Sequence, residues 1–274
     1  MKKLKIILAI GTIGIAMLTL NSCKKDSEKN VEEFDPTAYT NYLQAASMFA
    51  LQDVEEITME DDNLKSTNLL SCLNITIIKN ENGQYWPLNK VLDYGVENCE
   101  DFLGNNRRGI INISISDWWR SEGSVRKITF DNYYFNNTKL EGIKTITNTG
   151  LNAAGNLTFT KLIDDASITY ADSSSVRWNC ARNSELIEGG NTFIFADDVW
   201  SVTGSGTGIN VSGQAFTVTI TSALIYKYGC YFPVSGIVEI VTDGGNTEII
   251  NYGNGECDTQ ATLTVGDITT IIDL

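Results

Sequence analysis

Paired tryptophans, paired carboxylates and regularly spaced cysteines are the residues of this chain that could do chemistry. Trp118-Trp119-Arg120 lies between two apolar runs, followed by the turn-prone Ser121-Glu122-Gly123-Ser124. Adjacent residues at a strand end point to opposite faces, so one of the two indoles is placed to reach the surface. Trp118 and Trp119 are therefore the candidate ligand contacts, since an exposed indole offers a flat platform to a sugar ring or a protein partner. The competing expectation is packing alone, with one ring in the core and the other across a sheet edge. Four acid clusters, Glu60-Asp61-Asp62, Glu100-Asp101, Asp164-Asp165 and Asp197-Asp198, could serve glycoside hydrolysis or bind Ca²⁺ through oxygen ligands. Neighbouring acids on a strand diverge, however, and none of these runs has EF-hand spacing. Solvated turns are the simpler expectation for them.

Other chemistries are excluded by what the sequence lacks. There is no histidine among the 274 residues, which removes Ser-His-Asp and Cys-His nucleophilic sites and zinc sites with an imidazole ligand. Gly204-Ser205-Gly206-Thr207-Gly208 has no Lys-Ser/Thr or helix behind it, so it is expected to be a flexible turn between strands, not a phosphate loop. A net charge of −14 leaves no basic surface for phosphates and argues against nucleic acid as a partner. We expect no catalytic residue, no cofactor and no metal.

The cysteines divide into one near the N-terminus and five in the body. Cys72 and Cys99 are 27 positions apart, as are Cys230 and Cys257. Each second cysteine follows a Tyr-Gly at the same distance, Tyr94-Gly95 and Tyr252-Gly253, and precedes an acid, Glu100 or Asp258. Val91-Leu92 and Ile249-Ile250 also correspond, which reads as a duplicated β-hairpin unit. A weaker echo runs through Ser167-Ile168-Thr169-Tyr170, Asp172-Ser173, Val176 and Trp178. In an oxidising compartment Cys72–Cys99 and Cys230–Cys257 are disulfide candidates, with Cys180 left as a buried thiol. Free buried thiols remain an alternative, as does a four-cysteine metal site, although the close Cys-x-x-Cys pairs of zinc sites are missing.

The elements that must position these groups follow from periodicity. Lys2, Lys3 and Lys5 precede an uncharged stretch, Ile6 to Leu20, that is too short for a comfortable transmembrane helix. It ends in Leu20-Asn21-Ser22-Cys23, which resembles the lipobox of bacterial lipoproteins. That resemblance implies acylation of Cys23, cleavage before it and attachment to a membrane. Residues 1–22 are then the signal peptide and 23–34 a charged, solvated tether. Removing 22 residues, including three lysines and no acid, leaves 252 residues with a net charge of −17.

Asp35-Pro36 is a helix start, with Asp as N-cap and Pro at the first helical position. Tyr39, Leu43, Ala46, Ala50, Val54 and Ile57 recur at steps of three and four, predicting one helix that covers the end or edge of a sheet. From Cys72 the period changes to two. Ile111, Ile113 and Ile115 alternate with polar residues, as do Phe216, Val218 and Ile220, and Asn82-Gly83, Asp243-Gly244-Gly245 and Asn254-Gly255 punctuate the runs. Without helices for parallel crossovers the strands should pair antiparallel through hairpins. The expected fold is all-β over residues 35–274: a two-sheet sandwich or a curved open meander, with one N-terminal helix.

Arg108-Gly109-Ile110-Ile111, Ile128-Thr129-Phe130-Asp131-Asn132-Tyr133-Tyr134-Phe135, Leu140-Glu141-Gly142, Thr145-Ile146-Thr147-Asn148-Thr149, Cys230-Tyr231-Phe232-Pro233-Val234-Ser235-Gly236 and Tyr252-Gly253-Asn254-Gly255-Glu256-Cys257-Asp258 together resemble an uncharacterised lipoprotein family of Bacteroidetes. The resemblance implies a lipobox, a short helix, a β-rich body and an outer-membrane-anchored envelope location. It implies no activity. A non-enzymatic role is expected, in structure or in binding a glycan or envelope protein. A carboxylate-dependent glycan hydrolase and a carrier of an apolar ligand are the rivals.

Overall fold

A computed structural model describes residues 72–274, apart from 81, 83, 101–103, 193 and 231. The signal segment, Cys23, the tether, the expected helix from Asp35 to Ile57, Glu60-Asp61-Asp62 and Asp101 lie outside the described residues.

Fourteen strands occupy most of the described chain: β1 (Asn74–Lys79), β2 (Leu88–Asp93), β3 (Cys99–Glu100), β4 (Asn106–Ile115), β5 (Val125–Phe135), β6 (Thr138–Leu151), β7 (Leu157–Thr169), β8 (Ser175–Glu188), β9 (Val199–Ile209), β10 (Ala215–Lys227), β11 (Ser235–Thr242), β12 (Thr247–Asn254), β13 (Gln260–Val265) and β14 (Ile268–Asp273). They form one antiparallel sheet in chain order, with β3 pairing beside β4 off the main path. Hydrogen bonding runs unbroken from β1 to β14, so there is no division into two sheets and the sandwich expectation is corrected. The ladder matches the open-meander alternative. Short turns cause this order, because each hairpin returns the chain beside the strand it has just left.

The strand faces are set by period-two alternation. A single row of directly opposed residues crosses the whole sheet: Ile77, Lys90, Ile113, Ile128, Lys144, Ile163, Cys180, Gly206, Val218, Ile240, Glu248, Val265 and Ile268. Opposed residues share a face. Most of this row is buried, including Lys90 and Lys144. Ile111, Ile113 and Ile115 are all buried as their alternation predicts. The other face of these strands carries Asn112 and Ser114 on β4, and Thr217 and Thr219 on β10.

Alternation alone would not keep long strands facing one way, and bulges re-phase them. In β7, Phe159 and Ile163 are buried at odd positions, then Ala166 and Ile168 at even ones. The switch occurs at Asp164-Asp165, where Asp165 takes φ +50° and its N–H donates to Asn179 Oδ1 at 2.8 Å. This acid pair is therefore a bulge inside a strand, not the turn its polarity suggests. Asn132, at φ +45°, does the same for β5, between buried Ile128 and buried Tyr133. Glycine faces each bulge on the preceding strand. A Cβ on Gly109 would enter the Asn132 carbonyl, and one on Gly142 would sit 2.7 Å from the Ala166 Cα. Gly109 and Gly142 are 33 residues apart, as are Asn132 and Asp165, so the β4–β5 and β6–β7 hairpins repeat one device.

Gly204 to Gly208 also differs from expectation. The segment lies within β9, not in a turn. A Cβ on Gly206 would lie 2.8 Å from the Cys180 Cβ, and one on Gly208 would meet the Phe216 ring. These glycines leave room for side chains from both neighbouring strands.

Both disulfides are present, Cys72–Cys99 with Cα atoms 5.9 Å apart and Cys230–Cys257 at 5.6 Å. Each closes the open end of a hairpin, β1–β2 or β11–β12. The repeat extends to local geometry. Gly95 N–H donates to Asp93 Oδ1 at 2.8 Å and Gly253 N–H to Asn251 Oδ1 at 2.9 Å, with buried Tyr94 and Tyr252 between. Among the described residues Cys180 is the free cysteine, half-buried instead of fully buried. Burial pushes its thiol pKa up, with nearby Arg182 and Lys144 opposing, which disfavours the nucleophilic thiolate.

Candidate functional site

The Trp118–Trp119 segment is a loop between β4 and β5, not a strand end. Its fold is held by short polar contacts. Ser121 N–H donates to the Trp118 carbonyl at 2.8 Å, and Ser124 N–H to the Ser121 carbonyl at 3.0 Å. Buried Asn148 of β6 fastens the loop down. Its side-chain amide donates to the Trp119 carbonyl at 2.7 Å, and its backbone pairs with Gly123 and Ser124 at 2.9 Å each. A buried carboxamide with these partners fixes the loop because each alternative position would strand a polar group.

From there the two indoles diverge, though not by strand alternation. Trp119 lies over the sheet end, stacked on Phe159 of β7 with centroids 5.9 Å apart and planes at 21°, and tilted against Phe195 at 6.4 Å. Phe159 in turn meets Trp200 of β9 at 5.7 Å. Beneath them are the buried Ile146, Leu157 and Leu186. Trp118 stands edge-on to Trp119, 6.5 Å away at 67°, and is 43% exposed. So Trp119 is the packed ring and Trp118 the presented one.

Arg120 joins this loop to the β8–β9 connection. Its guanidinium lies 4.6 Å from the Trp119 ring centre and donates to the carbonyls of Gly190 and Thr192 at 2.8 Å each. The planar fork suits two carbonyls and a π-face together, a geometry that lysine does not reproduce. In the same connection Thr192 donates from its hydroxyl to the Asp197 carboxylate at 2.9 Å, and Phe195–Asp197 forms a 3-10 turn. The roles of Arg120, Asn148, Phe159, Phe195 and Trp200 were not read from the sequence. They are separated along the chain and carry no shared motif; the polar Asn148 at a position that alternation assigns to the core was the available signal.

Asp198 is the one site-adjacent acid that departs from a solvated role. It is buried, and its carboxyl pKa is raised first by burial and then by Asp197, with Arg120 opposing. The folded chain thus holds this proton more tightly than the unfolded chain. Stability contributed by the protonated form is lost as pH rises from the ordinary carboxylate range through the raised value. Asp198→Asn should therefore raise Tm relative to wild type near neutral pH and show little difference in acid. A lower Tm for the variant at neutral pH would show that the carboxylate itself is being stabilised.

Among the described residues, no group of three Cys, Asp or Glu is placed to hold a metal, and no helix is long and apolar enough to cross a membrane. Asp164-Asp165 lies on the β7 bulge, away from the loop set, and Glu100 is in β3. What the loop set offers chemically is a braced aromatic platform: a flat face for C–H/π and hydrophobic contact, with polar loop backbone around it. Comparison with protein-family models, with curated proteins and with solved structures finds no match to this chain.

Proposed function

We propose that this chain is a lipid-anchored envelope protein, acylated at Cys23 and akin to the Bacteroidetes lipoproteins it resembles, which binds a glycan at the Trp118 loop without transforming it. The observation that carries the reading is the exposed Trp118 ring, set edge-on to Trp119 in a loop that Arg120 and Asn148 fasten through Trp119. Fastening the loop lowers the entropy cost of ordering it at the moment of binding. The test is a screen of the purified chain against envelope and dietary glycans, scored for binding and cleavage together. Trp118→Ala should weaken any binding by about 2 kcal/mol, roughly thirtyfold in Kd. Asp164→Asn and Asp197→Asn should change it far less. Equal binding by wild type and Trp118→Ala would remove the platform from the function. The anchor has its own check: Cys23→Ala should abolish labelling by a fatty-acid analogue, and persistent labelling would overturn lipidation there.

One observation favours the hydrolase alternative, namely the raised carboxyl of Asp198 beside Asp197 and Arg120. A raised carboxyl pKa is the direction that a glycosidic acid needs. Glycan turnover abolished by Asp198→Asn, with binding retained, would establish that reading over the non-enzymatic one.

A further inference from the structure

At the end of β4 away from the tryptophan loop, a half-buried arginine is clamped with one edge of its guanidinium unused. Arg108 and Tyr134 are directly opposed on β4 and β5, and the guanidinium carbon lies 3.8 Å from the centre of the Tyr134 ring. Arg108 Nη1 donates to Asn98 Oδ1 and to Asn137 Oδ1, at 2.8 Å each. Asn98 Nδ2 in turn donates to Asn137 Oδ1 at 3.3 Å. The other edge of the guanidinium, Nε with Nη2, makes no hydrogen bond or ion pair among the described residues. Glu97 and Glu100 are near in sequence, yet neither pairs with it.

Each part of this clamp is held in place by the fold. Asn136 and Asn137 take φ +47° and +63° in the two-residue turn between β5 and β6, a conformation that asparagine tolerates. Asn136 N–H donates to the Asn106 carbonyl at 2.7 Å, and Asn136 Oδ1 accepts from Asn106 N–H at 2.8 Å, fastening the turn to the start of β4. Asn98 precedes buried Cys99, which is fixed by its bridge to Cys72 and by pairing with Arg107. A strut between two carboxamide oxygens needs only a point charge such as lysine. Arginine adds the second edge, whose two parallel N–H groups match the paired oxygens of one acid. Both carboxamide oxygens are turned to the guanidinium, so Asn137 Nδ2 is left as a further donor beside that edge. The corner presents donors and calls for an acceptor.

We infer that Arg108 is the centre of a second binding site, which takes the carboxylate of an acidic sugar. Charge limits the ligand to a monoanion. Lys139, opposed to Tyr134 on the same face, is paired with Glu141 at 2.7 Å. The corner therefore offers a single unpaired positive charge, in a chain of net charge −14. A carboxylate meets that limit, whereas a phosphate monoester, at about −1.5 to −2 near neutral pH, exceeds it. The planar fork also fits a planar carboxylate, and the Asn137 amide beside it can donate to a ring or hydroxyl oxygen of the same sugar. About 20 Å of strand separates this corner from the Trp118 loop, so the inference stands apart from the reading given for that loop.

The test is calorimetric titration of the full chain in detergent with short oligosaccharides of glucuronate, galacturonate and N-acetylneuraminate, each set against its methyl ester. At least one acid form should bind about tenfold or more tightly than its ester. Arg108→Lys keeps the charge and the strut but loses the paired edge. It should abolish that preference with an unchanged circular dichroism spectrum. Lys139→Gln removes a charge of the same sign nearby and should leave the preference intact. Trp118→Ala should leave it intact as well, so failure of the tryptophan platform and failure of this site read out separately. No binding, or equal binding of acid and ester for all three sugars, overturns the inference. So does a preference that survives Arg108→Lys or that Lys139→Gln removes equally. Tighter binding at Arg108 of a sulfated sugar or a peptide C-terminus than of every acidic sugar overturns the ligand class.

Discussion

Replacing Cys72 and Cys99 together by serine is expected to destabilise the folded chain by at least about 3.5 kcal/mol, the chain-entropy value for a loop of this length. The bridge spans 27 residues and closes β1–β2 where that hairpin would otherwise fray. Cys99 is also buried in the core with Leu92, Tyr94 and Ile111, so two hydroxyls there add a desolvation cost to the lost crosslink. The matching Cys230–Cys257 bridge has the same span but is more exposed. Its removal should cost about 3.5 kcal/mol, close to the entropic term alone. Urea unfolding of each variant measures both losses. Exposure also orders their reduction: a mild thiol should open Cys230–Cys257 first. Peptide mapping over time under reductant would show this, and faster loss of Cys72–Cys99 would contradict the burial argument.

Gly109→Ala is expected to cost about 3 kcal/mol, within the range for forced backbone strain and overpacking. Two effects combine at this position. The backbone sits at φ +91°, and an added Cβ would enter the Asn132 carbonyl and lie 2.7 Å from the Tyr133 Cα. The obstacle is neighbouring main chain, which relaxes only by moving the β4–β5 ladder. Gly95 provides the control. It has a similar φ of +80° but open space around it, so Gly95→Ala should carry only the left-handed penalty of about 1 kcal/mol. Denaturant titration of the two variants separates strain from crowding. Equal losses would mean that the bulge can slide, and that glycine is not required opposite Asn132.

Much of the architecture was legible because it rests on short-range rules. The period-two runs at Ile111–Ile115 and Phe216–Ile220 marked strands, and the absence of crossover helices implied antiparallel neighbours. The paired 27-residue spacings with their Tyr-Gly landmarks located both disulfide-closed hairpins. The bulges were less legible. Asp164-Asp165 and the glycines of β9 carry turn-like composition, yet lie inside strands. Local polarity cannot tell a residue that ends a ladder from one that re-phases it, because the difference lies in which residue the neighbouring strand places opposite. The 33-residue echo of Gly109 and Asn132 in Gly142 and Asp165 was the readable trace of that device.

The site divides along the same line. Trp118-Trp119-Arg120 stood out by composition, and the expectation that one ring reaches the surface rested on strand alternation, whereas the two rings stand in a loop. Which ring does which was decided by the tertiary structure. Phe159, Phe195 and Trp200 come from strands and loops that follow later in the chain, and only folding brings them against Trp119. Arg120 finds its two carbonyls at Gly190 and Thr192, about 70 residues away. Sequence by itself determined the all-β class, the antiparallel pairing and which cysteines were candidate partners, since those depend on periodicity and spacing; the single continuous sheet and the oxidised pairs were decided by the structure. The braced indole and the buried Asp198 depend on contacts between distant segments, and those exist only once the sheet has formed.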